Sequence, residues 1–179
     1  PAEAKGRVPK PGKIHPNGTL EWSNPTPYTL ACGHNILVNS IQMIRIYAMI
    51  ANGGYFVQPT IIKSLVKNGK ILPLKKTKPE KRLSSSVIKE LKKALKFTTK
   101  MGGSSPRADI KGYSEAGKSG TSEKIIGGNY SQTKYFGLFC GFAPVDKPEF
   151  VMMVVIDEPK KVYIQVLEKT TWGEHQQGL

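Results

Sequence analysis

The chain has 179 residues, is 39% hydrophobic, and carries 27 Lys and Arg against 13 Asp and Glu, a formal net charge of +14. Its length and globular composition suit one ordinary domain or a large piece of a bigger one. The charge favours anionic surroundings, but the lysines between Lys63 and Lys100 are not interleaved with aromatic stacking platforms, which argues against nucleic acid as a partner and for a solvated basic face.

Residues 1–38 are rich in Pro, Gly and Asn with little apolar periodicity, and predict a loop-dominated segment that wraps over something else. Between residues 39 and 111 the pattern changes. Asn39 or Ser40 can cap a helix through Ile41, Met43, Ile44, Ile46, Tyr47, Met49 and Ile50, which Asn52-Gly53-Gly54 ends. Apolar residues on nearly every side of that helix predict burial on more than one face. The stretch from Tyr55 to Leu74, with Thr60-Ile61-Ile62 and Leu65-Val66 before Asn68-Gly69, reads as a small hairpin. Ser84, Ser85 or Ser86 can cap a second helix from Val87 to about Thr98, with Val87, Leu91 and Leu95 as one apolar stripe, and Met101-Gly102-Gly103-Ser104-Ser105-Pro106 breaks it.

Residues 112–159 read as β: strands from Ser114 to Ile126, Lys134 to Phe142 and Glu149 to Ile156, separated by Gly127-Gly128-Asn129 and by the Pro144 to Pro148 turn. Three strands joined by short loops can pair only as an antiparallel meander. Cys32 and Cys140 follow no metal-ligand spacing and make neither a zinc site nor a disulfide framework. His15, His34 and His175 have no carboxylate or cysteine at ligand spacing, so structural or exposed roles are expected. No apolar run is long enough to span a bilayer, the first residues lack the apolar core of a signal peptide, and the abrupt ends read as those of a fragment.

One stretch concentrates useful chemistry. From Gly112 to Ser119 it matches G-x-x-x-x-G-K-[ST], the phosphate-cradling loop of nucleotide hydrolases, with Asp157 at the end of a downstream apolar strand as the magnesium carboxylate. A phosphate loop needs a buried strand before it and a helix after it, whose free N–H groups meet the phosphates. The polar Ser104 to Lys111 segment and the immediate Gly120 supply neither. Alternatively, Lys118-Ser119-Gly120-Thr121 is the Lys-Ser/Thr-Gly strand of serine acyltransferases that recognise penicillin. There Lys118 supplies positive potential, Ser119 and Thr121 supply hydroxyl donors, and Gly120 removes a Cβ that would block close approach. Alternation along a strand puts Ser119 and Thr121 on one face and Lys118 on the other, so one ligand meets all three only at a twisted sheet edge.

Gly117-Lys118-Ser119-Gly120-Thr121-Ser122, Phe136-Gly137-Leu138-Phe139-Cys140-Gly141-Phe142-Ala143-Pro144 and Lys147 through Pro159 closely resemble the C-terminal part of the transpeptidase domain of class B penicillin-binding proteins. Ile41 through Gly54 looks like that family's glutamine-containing helix, with Pro59 following it. The resemblance covers roughly Gly6 to Pro159. It implies an α+β fold with an antiparallel sheet flanked by helices, part of the serine β-lactamase and penicillin-binding fold. It also implies a D,D-transpeptidase that cross-links peptidoglycan stem peptides, is acylated by β-lactams, works with other cell-wall synthesis proteins and needs no metal or organic cofactor. The location it implies is the periplasmic face of the bacterial inner membrane, held by an N-terminal anchor outside this chain. Carried over residue by residue, Lys118 polarises the site and the Thr121 backbone N–H forms half of the oxyanion hole. Ser119, Gly120, Thr121 and Ser122 line the substrate, with the Ser119 and Thr121 hydroxyls on its carboxylate.

Two departures accompany the resemblance. The family's Ser-x-x-Lys nucleophile and its Ser-x-Asn motif lie upstream of the matched region, and the sequence contains no Ser-x-Asn. Ser-x-x-Lys strings at Ser64 and Ser86 read as a hairpin residue and a helix cap, so the nucleophilic serine is expected outside this chain and the fragment is expected to be inactive alone. At the other end, after Trp172-Gly173, Glu174-His175-Gln176-Gln177-Gly178-Leu179 replaces the family's closing helix start, so residues 160–179 read as a divergent tail.

Overall fold

A computed structural model describes residues 4–74 and 78–160. The divergent tail, with Trp172 and His175, lies outside the described residues apart from Lys160.

The first segment is mostly loop, as its composition predicts, and is tied down by isolated bridges of Arg7 to Leu37 and Ile14 to Leu20. It also contains a short helix that the sequence reading did not foresee, α1 (Thr26–Ala31), with proline in its first turn, where a missing N–H costs nothing. Helix α2 (Ser40–Ala51) begins in a full capping box: the Asn39 side chain accepts from the Gln42 N–H at 2.8 Å, and Gln42 Oε1 accepts from the Asn39 N–H at 3.1 Å. Its chain reverses through Gly53 and Gly54, both at positive φ. At Gly54 a Cβ would lie 2.4 Å from the Leu83 carbonyl oxygen, so the close crossing of the two segments requires glycine there.

After α2 come β1 (Tyr55–Phe56), β2 (Leu65–Lys67), β3 (Lys70–Leu72) and β4 (Glu80–Lys81). Strands β2 and β3 form the hairpin expected at Asn68-Gly69, whereas Thr60-Ile61-Ile62 forms no strand, and β1 pairs instead with β4. Helix α3 (Ser85–Thr98) is capped by Ser84, whose hydroxyl accepts from the Val87 N–H at 3.3 Å.

The remaining strands, β5 (Ala116–Ile126), β6 (Asn129–Ala143) and β7 (Phe150–Asp157), form an antiparallel sheet in the order β5-β6-β7. This is the meander the short connections require. Strand β6 begins earlier than expected, because the two-residue Gly127-Gly128 turn, with both residues at positive φ, pairs Ile126 with Asn129 directly. The core sits where α2 and α3 cover the base of this sheet: Ile50, Ala51, Ile88, Ala116, Phe142 and Val145 are buried, with Tyr47, Leu83, Leu91, Leu95 and Val151 packed around them.

Helix α2 departs from the expected burial. Ile50 and Ala51 are buried, yet Ile41 and Ile46 are exposed among the described residues. The helix packs against β6 and β7, with β1 and α3 also touching it, and leaves Ile41 and Ile46 exposed.

Candidate functional site

The Lys-Ser-Gly-Thr stretch lies in β5, at an edge of the sheet as described. Its ladder with β6 pairs Lys118 with Cys140, Ser119 with Phe139, Gly120 with Leu138, Thr121 with Gly137 and Ser122 with Phe136. Ser119 and Thr121 therefore share one face and Lys118, Gly120 and Ser122 the other, as alternation requires. The Lys118 ammonium nevertheless donates to the Ser119 carbonyl oxygen at 2.6 Å. It is thereby held beside the residue whose hydroxyl points to the opposite face. Lys118, Thr121 and Ser122 are exposed, and Ser119 is half-buried.

Three glycines shape the strand. Gly117 and Gly141 face each other across the ladder, and the Phe139 ring lies over both: a Cβ at Gly117 would sit 2.4 Å from Phe139 Cζ, and one at Gly141 would sit 2.9 Å from Phe139 Cε1. Gly120 has a neighbour within the sheet as well. A Cβ there would press on Leu138 Cδ1 at 3.1 Å, so this glycine makes room for a neighbouring side chain of the sheet.

The start of β5 is anchored by consecutive residues at the end of α3. The Thr98 hydroxyl donates to the Gly117 carbonyl oxygen, and the fully buried Thr99 donates to Glu115 Oε1 at 2.9 Å. Lys100 reaches the same carboxylate oxygen at 2.8 Å and Asp109 at 2.6 Å, and hydrogen bonding to Asp109, then to Glu115, holds its ammonium pKa above the ordinary lysine range. The second Glu115 oxygen is buried without a hydrogen-bond partner among the described residues. Together these contacts fix where Lys118 and Ser119 lie relative to α3.

The helix breaker from Met101 to Pro106 contributes a residue that the sequence reading passed over. Gly103 allows a tight reversal, since a Cβ would lie 2.4 Å from the Phe97 carbonyl oxygen, and the chain then brings Ser105 onto β5. The buried Ser105 hydroxyl donates to Ser119 Oγ at 2.7 Å and accepts from the Ser119 N–H at 3.2 Å. A groove of about 480 Å³ opens beside this pair, lined by Ser104, Ser105, Pro106, Arg107, Ala108, Ser119 and Phe139. No sequence signal marks Ser105, because its partner lies 14 residues away and only the chain reversal joins them.

The phosphate-loop reading fails on this geometry. Gly112 to Ser119 leads into a strand, so there is no helix N-terminus to receive phosphate. Asp157 is paired with Lys124, which also bonds Glu158 at 2.8 Å and sits 4.7 Å over the Phe136 ring. The cap of α3 is Ser84 and not Ser86, and a third Ser-x-x-Lys string, Ser131-Gln132-Thr133-Lys134, lies in β6, where Ser131 Oγ accepts from the Thr133 N–H at 3.3 Å and the Lys134 N–H at 3.1 Å. Ser64 is exposed just before β2, and Ser86 lies in the first turn of α3 with its hydroxyl 2.9 Å from that of the capping Ser84. His15 lies 3.0 Å from the Arg7 guanidinium beside Glu21, a structural setting.

The family model for the penicillin-binding protein transpeptidase domain matches residues 7–171. The chain belongs to the penicillin-binding protein transpeptidase family. Among this family's members, the peptidoglycan D,D-transpeptidase FtsI of Buchnera aphidicola subsp. Baizongia pistaciae is 36% identical over 150 residues, covering 80% of this chain and 25% of that protein. Stage V sporulation protein D of Bacillus subtilis is 31% identical over 135 residues, covering 74% of this chain and 21% of that protein. Penicillin-binding protein 3 of Mycobacterium tuberculosis, solved in complex with aztreonam, superposes with a TM-score of 0.76 at 27% identity, covering 89% of this chain and 36% of that one. This chain thus spans about a quarter of the length of the curated transpeptidases it matches. The fold is part of the penicillin-binding transpeptidase fold.

Proposed function

We propose that the protein carrying this chain is a serine D,D-transpeptidase that cross-links peptidoglycan stem peptides and is acylated by β-lactams, with the nucleophilic serine outside residues 1–179. In this reading the chain supplies the strand that holds the acyl donor. Lys118 provides positive potential, Ser119 and Thr121 bind the carboxylate with Gly120 and Ser122 beside them, and the Thr121 N–H is half of the oxyanion hole. One observation carries the proposal: the Lys-Ser-Gly-Thr strand lies at a sheet edge with both hydroxyls on one face, in a chain of the transpeptidase family. Such an edge offers main-chain groups to an extended peptide, and its hydroxyls offer donors to the peptide's terminal carboxylate.

Relatives named for peptidoglycan transpeptidation and sporulation support a bacterial cell-wall role. The proposed location is the periplasmic face of the inner membrane, with other cell-wall synthesis proteins as partners. Among the described residues no helix is long and apolar enough to cross a membrane; the proposed anchor is an N-terminal segment outside residues 1–179.

The deciding experiment is intact mass after exposure to benzylpenicillin. The full-length protein should gain one adduct and residues 1–179 alone should gain none. Lys118→Ala in the full-length protein should slow acylation by about a hundredfold, the size of effect seen when a preorganised electrostatic group is removed. An adduct on residues 1–179, mapped to Ser64, Ser86, Ser131 or any other serine, would refute the assignment of the nucleophile. Full-length protein that never acylates would refute the function.

A further inference from the structure

Ser119 has a neighbour that determines what its hydroxyl can do. A serine hydroxyl carries one hydrogen and can accept more than one hydrogen bond. The Ser105 hydroxyl receives the Ser119 N–H at 3.2 Å and gives its own hydrogen to Ser119 Oγ at 2.7 Å. With Ser105 as donor in that contact, the Ser119 hydrogen cannot point back at Ser105. It must turn outward, toward the groove that Ser119 lines together with Ser104 to Ala108 and Phe139.

The arrangement is a relay of donors running from the backbone N–H of Ser119 through Ser105 to Ser119 Oγ. Each link polarises the next, so the terminal hydroxyl is a stronger donor than an isolated serine would be. Its carrier is rigid. Ser105 is buried, its N–H donates to the Thr98 carbonyl oxygen at 2.8 Å, and its own carbonyl oxygen accepts from the Ala108 N–H at 3.0 Å. Thr98 in turn donates to Gly117 on β5, so the Ser105 loop and the site strand share one anchor.

We propose that Ser105 is a positioning residue that presets the Ser119 hydroxyl as a hydrogen-bond donor toward a ligand carboxylate. The proposal rests on the transpeptidase reading above. Ser105 forms no bond to the ligand itself; it acts by fixing one rotor of Ser119, which removes the entropy of choosing it at the moment of binding.

The test uses the full-length protein and two ligands that differ at one group, benzylpenicillin with its carboxylate and the neutral methyl ester, with acylation followed by intact mass against time. Wild type should acylate with the acid at least about tenfold faster than with the ester, because a site built to bind a carboxylate loses that partner in the ester. Ser105→Ala should slow the acid reaction by about tenfold and leave the ester reaction within about twofold, and Ser105→Thr, which keeps the hydroxyl, should restore the acid rate. The ester rate serves as the check on folding. Equal slowing on both ligands would make Ser105 merely structural and overturn the proposal, as would an unchanged acid rate in Ser105→Ala. Wild type that acylates but does not distinguish acid from ester would overturn the carboxylate role of Ser119 and this proposal with it. Wild type that never acylates would overturn the transpeptidase reading itself.

Discussion

Among the described residues, two hairpins are closed by the same kind of turn. Asn68-Gly69 joins β2 to β3 and Gly127-Gly128 joins β5 to β6, and all these turn residues have positive φ. Their bodies differ. Every residue of β2 and β3 is exposed, and the two strands pair only with each other. Strands β5 and β6 run from an equally open tip to a base where Ala116, Cys140 and Phe142 are at most 2% exposed, with a third strand beside them and α2 and α3 on top. The turn code decides that a hairpin forms, and what covers its base decides whether it can carry a site.

The sharpest way to break that comparison is to overfill the covered hairpin. In Gly117→Val the new Cβ would meet Phe139 Cζ at 2.4 Å and the Cys140 carbonyl oxygen at 2.8 Å, and the expected loss by urea titration is about 3 kcal/mol. Cys140 supplies an independent readout. Burial pushes its thiol up to about 11, so at about pH 8 it stays protonated and unreactive toward iodoacetamide while the exposed Cys32 labels. Because the folded pKa lies above the ordinary value of 9.0, the stability this thiol contributes is present below about pH 9 and is lost as pH rises through about 11. Gly117→Val should make Cys140 label at neutral pH, and unchanged protection would show that the base tolerates the side chain.

A smaller effect is expected where α3 grips the same strand. Thr99→Val keeps the shape of a fully buried side chain but removes the donor to Glu115, and should cost about 1–3 kcal/mol. A neutral result would mean that Lys100 alone satisfies that carboxylate. The turns themselves come next. A Cβ at Gly127 or Gly69 would meet no atom, so each alanine variant carries only the strain of its positive φ, about 1 kcal/mol if the hairpin must stay closed. Gly127→Ala should show most of that cost and Gly69→Ala little of it, because the uncovered hairpin can open without disturbing the core. Equal losses would mean that β2–β3 is coupled to the fold. Least of all, Val66→Thr on the exposed β2 should move the urea midpoint by no more than about 0.5 kcal/mol equivalent.

What the sequence revealed was local. A cap at Asn39 or Ser40, a cap among Ser84 to Ser86, the Asn68-Gly69 turn and the three-strand meander all depend on residues close in the chain and are legible in the sequence; the structure selects Asn39, with Gln42 completing a capping box, and Ser84. The Lys118 to Ser122 strand was readable for the same reason, and its facing pattern followed from alternation alone. Non-local features were hidden. Tyr130-Ser131-Gln132-Thr133 has no strand pattern, yet it lies within β6: the turn before it pairs Tyr130 with Ile125, and the ladder with β5 then shifts register and resumes at Tyr135. The apolar residues around α2 suggested burial on several faces, but Ile41 and Ile46 meet no covering element among the described residues. Ser105 looked like part of a helix breaker, since nothing short of the chain's reversal at Gly103 tells that it reaches Ser119.

Phe139 lies over Gly117 and Gly141, so the three positions are sterically coupled and none can change freely while the others stay. A side chain at either glycine is overpacked while the ring remains, and loss of the ring first would leave a hollow beside two residues with nothing to fill it. Any route of single substitutions through this part of the strand therefore crosses a destabilised intermediate, whichever step comes first. Variation near Ser119 should accordingly find easier passage through the exposed residues Ser104 and Arg107 of the neighbouring loop than through the sheet beneath it.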